Sequence, residues 1–74
     1  MATNNVETGV LAGRNLKKLM KKNGLTQVKF GEEFGVDERT VRSWQKCIKY
    51  LDTIDQIAHF FNISTQDFIF GDLD

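Results

Sequence analysis

The chain of 74 residues contains no proline, one cysteine and one histidine. Without proline, nothing forces a break inside a helix. A single cysteine excludes an internal disulfide. With one histidine beside it, no Cys/His set of metal-ligand spacing can be drawn, so neither metal nor cofactor is expected. No apolar run approaches the roughly 20 residues that cross a bilayer. The opening MATNNVETGV has neither the basic start nor the apolar run of a signal peptide, which points to the cytoplasm. No nucleophile–base pair and no phosphate-cradling loop can be assembled, so an enzyme is not expected.

What is present is one small domain's worth of spaced apolar residues, which favours an all-helical fold. A core of this size is modest, and its stability depends on close packing or on oligomerisation. The formal charge of zero conceals a segregation. All ten bases lie between Arg14 and Lys49, against four acids there, a net of +6. Residues 50–74 hold five aspartates and no base. Such polarity suits a basic face for phosphate and an acidic face turned away from it.

Taken in order, residues 1–7 are polar and expected to be a flexible amino terminus, and residues 8–74 form the domain. A first helix is expected from Thr8 or Val10 to Asn23, with Leu16, Leu19 and Met20 inward, joined by Leu11 or Ala12. Gly24 stops it. Thr26 caps a second helix that ends near Phe34, and a third runs from Glu38 to Lys46. A loop from Cys47 to Leu51 follows. Asp52 or Thr53 caps a fourth helix with Ile54, Ile57, Ala58 and Phe61 on one face. Ser64 caps a short fifth helix that Gly71 ends. The expected core is Phe30, Phe34, Val36, Val41, Trp44, Ile54, Ile57, Phe61 and Phe68.

The stretch TQVKFGEEFGVDERTVRSWQ, Thr26 to Gln45, is the most informative. Phe30 and Phe34 share one helical face, and Val41 and Trp44 share another. Between them Gly35 suits a left-handed helix end, Val36 can plug inward and Asp37 can cap the next helix. Gly31 allows a close crossing. This is the geometry of a helix-turn-helix. The stretch resembles the XRE-type helix-turn-helix of phage Cro and repressor proteins, matching at Gln27, Gly31, Gly35 and Val41 and at the apolar Phe30, Phe34, Val36 and Trp44. The resemblance covers about residues 13–71. It implies a compact five-helix lambda-repressor-like DNA-binding domain, with the helix-turn-helix at helices 2 and 3.

The same resemblance implies the site. The exposed part of helix 3, Glu38, Arg39, Thr40 and Ser43, would meet base edges in the major groove, with Arg39 able to pair bidentately with guanine. Gln27 at the start of helix 2, with Arg42, Lys46 and Lys49, would meet phosphates. Lys17 and Lys18 either join them or coat the back of helix 1. Tyr50 either donates to a phosphate or packs over the loop. Cys47 and His59 carry no expected chemistry.

Several features depart from the family. Many members pair an Arg at the position of Met20 with a Glu at that of Gln45, and both charges are absent here. The two side chains are still expected to meet between helices 1 and 3. Cys47 stands where the family often has Gly, and the loop Ile48-Lys49-Tyr50-Leu51 lacks its usual proline. Two functions follow. The first is a sequence-specific transcriptional regulator binding a two-fold double-stranded DNA operator. Phe60, Ile69, Phe70 and Leu73 would form a homodimer contact, unless Phe70 and Leu73 fold back onto helix 1. The second keeps the fold but binds a partner repressor protein, as a phage modulator or antirepressor. Glu38, the neutral overall charge and the acidic carboxy-terminal third favour that alternative.

Overall fold

The computed structural model describes residues 6–73, which hold five α-helices and no strand. They are α1 (Val6–Lys22), α2 (Gln27–Phe34), α3 (Glu38–Lys46), α4 (Leu51–Phe60) and α5 (Thr65–Phe70). The radius of gyration, 10.9 Å, is close to the roughly 11 Å of a compact domain of this length, so the helices share one core. α1 packs on α3 and on α5, α2 packs on α3, and α4 packs on α5. Among the described residues no helix is long and apolar enough to cross a membrane.

Side-chain caps set most of the boundaries. Thr26 Oγ1 accepts from Lys29 N at 3.0 Å, Asp37 Oδ1 from Arg39 N at 2.8 Å, and Ser64 Oγ from Asp67 N at 3.0 Å. Each satisfies one of the amides a helix start leaves without a partner. Gly35 ends α2 at φ +87°, and its N–H and that of Val36 both donate to Gly31 O at 2.8 Å. Gly31 is required by space: a Cβ there would lie 2.6 Å from Val36 O. The close approach comes from the bend itself and not from the body of a second helix.

Two boundaries differ from expectation. α1 already includes Val6 and Glu7, and the acidic Glu7 suits a helix's first turn. The rest of the expected flexible terminus, residues 1–5, lies outside the described residues. α4 starts at Leu51, with Tyr50 at the cap position and no side-chain cap bond, so neither Asp52 nor Thr53 caps it. The cause is Ile48. It is fully buried and its N–H donates to Gly9 O at 3.1 Å, which pins the α3–α4 link against α1 and turns the chain into α4 early.

The core holds Ala12, Leu16, Leu19 and Met20 of α1 with Phe30, Val41, Ile48, Ile54, Ile57, Ala58, Phe68 and Ile69. Phe34, Val36, Trp44 and Phe61, expected in the core, are half-buried and pack against it. The reason is an aromatic cluster at the domain edge. Phe30 stacks on Phe34 at 5.3 Å and on Phe61 at 5.7 Å and meets Phe60 edge-on at 5.1 Å, while Trp44 meets Phe34 edge-on at 5.5 Å. Rings of this size fill space between α2, α3 and α4 while keeping one rim in water.

Candidate nucleic-acid interface

α3 has one inward and one outward side. Val41 is buried, and Trp44 and Gln45 are half-buried, one helical turn beyond it. That rotation leaves Glu38, Arg39, Arg42, Ser43 and Lys46 exposed and Thr40 half-buried. Of the expected base-contacting residues, Arg39 and Ser43 thus share the outward face with Lys46, one turn apart in succession. Thr40 sits at its rim beside the core. Lys49 and Tyr50 are exposed on the α3–α4 link. Ile48, on the same link, is fully buried.

The Arg39 side chain is 84 % exposed, with Nε 3.9 Å from Asp37 Oδ1. Asp37 also caps α3 through the same oxygen. A pair this exposed is worth little, so Arg39 is free to swing to another acceptor.

Gln27 behaves differently from an open phosphate ligand. It is half-buried, and its side-chain amide is engaged at both ends. Nε2 donates to Gln45 Oε1 at 2.8 Å, and Oε1 accepts from Arg42 Nε at 3.4 Å. Gln45 Nε2 in turn donates to Met20 Sδ at 3.3 Å. A polar chain thus joins α2, α3 and α1: Arg42 to Gln27, Gln27 to Gln45, Gln45 to Met20. The expected Met20–Gln45 meeting is present, and Gln27 braces α3 by its side chain.

The backbones meet closely beside that chain. A Cβ on Gly13 would lie 2.5 Å from Trp44 O and 3.0 Å from Gln45 O. α1 can therefore sit against the last turn of α3 only because this residue has no side chain. The spacing of Gly9 and Gly13 in α1 is a signal of such an approach that reasoning from the helix-turn-helix stretch overlooked.

The proposed dimer contact needs correction. Ile69 is 7 % exposed and belongs to the core, and Leu73 is half-buried against it. Both follow from Asn15, a buried polar residue of α1 absent from the expectations. Its Nδ2 donates to Phe68 O at 2.6 Å and lies 3.3 Å from Ile69 O and from Gly71 O. That amide pulls the end of α5 onto α1 and turns Ile69 inward. Phe60 and Phe70 are left exposed, and Phe60 is engaged with Phe30 and Phe61. Phe70, at 66 %, is the apolar side chain of this group that faces water.

Cys47 is half-buried with Sγ 3.9 Å from Val6 O, and His59 is exposed on α4. No family model, no curated protein and no solved structure matches this chain.

Proposed function

We propose that this chain is a small sequence-specific DNA-binding regulator of the Cro and repressor kind. α2 and α3 act as its helix-turn-helix, and α3 enters the major groove. The observation that carries this reading is the rotation of α3. Its inward side is taken up by Val41, Trp44 and Gln45, so Arg39, Ser43 and Lys46 project together from the domain. Helix N-terminal side chains reach base edges in this mode of docking, and those nearer the ends meet the backbone. Arg39 and Ser43 then read bases, with Glu38 and Thr40 at the margins. Arg42, Lys46 and Lys49 meet phosphate. Gln27 holds Arg42 and α3 in place.

Selection from random-sequence duplexes, at low and at physiological salt, tests this. A defined site should be enriched. On that site Arg39→Ala should cost about 1–3 kcal/mol and relax preference at one base pair, whereas Lys46→Ala weakens all sequences alike. A wild-type chain that binds no duplex at physiological salt sinks the proposal.

A second reading, binding to a partner repressor protein, is favoured by two features. Arg39 is flanked by Asp37 and Glu38, which lower its attraction for phosphate, and Phe70 offers an exposed apolar anchor elsewhere. If Arg39→Ala abolishes capture of a repressor and leaves duplex affinity unchanged, that reading replaces the first.

A further inference from the structure

The outer face of α1 carries Arg14, Lys17, Lys18, Lys21 and Lys22, and no acid follows Glu7 within the helix. These bases line one open groove of about 830 Å³, with Gln45 and Leu73 as its other walls. Arg14–Lys18, Lys17–Lys21 and Lys18–Lys22 are like charges at i,i+4, an arrangement that works against the helix. Arg14, Lys17, Lys21 and Lys22 form no ion pair among the described residues. A merely solvated face gains nothing from such repulsion, and interspersed acids would relieve it. A polyanion laid along the face would relieve it too.

We propose that this face of α1 is a second phosphate-binding surface, which takes the backbone of the same duplex that α3 enters. The inference rests on the DNA-binding reading and extends its footprint. Continuity is the argument for one duplex. Gln45, a wall of the groove, is bonded to Gln27, whose other end holds Arg42. The groove on α1 therefore adjoins, through that neutral amide pair, the part of α3 that carries Arg42.

The helix also orients the path. Gly13, Lys17 and Lys21 form one row, and Gly13 lies against Trp44 and Gln45. Arg14, Lys18 and Lys22 form the next row, towards the side where Asn15 holds α5. Asp72 follows α5 and precedes Leu73 on that flank, so the phosphate strand runs along Lys17 and Lys21.

The test compares Lys17→Gln with Lys21→Gln, as one double variant, and Lys18→Gln with Lys22→Gln, as another. Affinity is measured against salt on the selected duplex and on an unrelated one. Each lost phosphate contact lowers the log–log slope by about 0.9, so the first variant should lower it by about 1.8 on both duplexes. The ratio of the two affinities should not change, and the second variant should have less than half the effect. Melting followed by circular dichroism should show the first variant at least as stable as wild type, because repulsion is removed. A wild type that binds DNA, with a slope that the first variant leaves unchanged, overturns this proposal alone. So does low-salt self-association that the first variant abolishes without a change in slope, which assigns the face to the acidic third of a second copy. A wild type that binds no duplex overturns both this proposal and the DNA-binding reading.

Discussion

α1 holds the domain together through two different contacts. Against α3 it offers a glycine, Gly13, and the soft sulfur of Met20, which receives the Gln45 amide at 3.3 Å. Against α5 it offers Asn15, which donates to carbonyls at the end of that helix. The first contact depends on side chains of α3 and α2 and on a backbone approach. The second is made to backbone carbonyls, beside the burial of Phe68 and Ile69 in the shared core. The α3 side can thus be retuned by substitution, while the α5 side is a fixed clasp. Apolar residues at the chain's end follow the clasp: it buries Ile69 and leaves Phe70 outside.

If the two contacts are separate, damage to each should stay local. The largest loss is expected on the α3 side. Trp44→Ala removes an indole that is half-buried against Phe34 and should cost about 3 kcal/mol, the low end for a large ring, because part of it already meets water. Chemical denaturation measures this. Wild-type Trp44 emission should shift to longer wavelength on unfolding, and no shift would remove Trp44 from the packing. On the other side, Asn15→Ala leaves buried carbonyls without their donor and should cost about 2 kcal/mol. Amide exchange should quicken in α5 and at Gly71, with α3 little affected. Equal loosening of α3 would show that the two contacts form one unit.

The two sides also differ in how far the sequence revealed them. The Thr26–Gln45 stretch was legible because its information is local. Caps at Thr26 and Asp37, the stop at Gly35 and the burial of Val41 all follow from neighbours a few residues away. Met20 with Gln45 was legible through resemblance to a pattern that pairs these positions. Asn15 and Ile48 were not. Their partners lie more than fifty and nearly forty residues away, at Phe68 and Gly9, and nothing in local spacing marks an asparagine as buried. Ile69 was misplaced for the same reason, since its inward turn depends on that remote amide. Gln27 was half legible: its position at the start of α2 was expected, but its commitment at both ends appears only when α2 and α3 are set side by side.

A subtler probe of the α3 side is a mutant cycle at Met20 and Gln45. Met20 is buried, so Met20→Arg alone places an uncompensated guanidinium beside a neutral amide and should destabilise strongly. Adding Gln45→Glu supplies the opposite charge and should restore about 1 kcal/mol beyond additivity. Additive effects would mean that the Met20–Gln45 contact does not couple α1 to α3. In that case the soft contact reduces to the approach at Gly13.

The smallest effect lies where the two sides join. α4 starts without a side-chain cap because Tyr50 occupies the cap position. The Tyr50 backbone is already extended there, at φ −121° and ψ 136°, which is the conformation a capping residue adopts. Tyr50→Asp should accept from an amide of the first turn and place a negative charge at the helix start, a gain of about 0.5–1 kcal/mol. The tyrosine is 44 % exposed, so little packing is lost in exchange. Thermal melting reads the gain. The same substitution places an acid beside Lys49 and should weaken duplex binding if that link runs along phosphate. A chain that becomes more stable and binds DNA less well would show that the missing cap is a cost carried for binding. Unchanged duplex affinity would take the α3–α4 link out of the interface and leave α3 and α1 as its two parts.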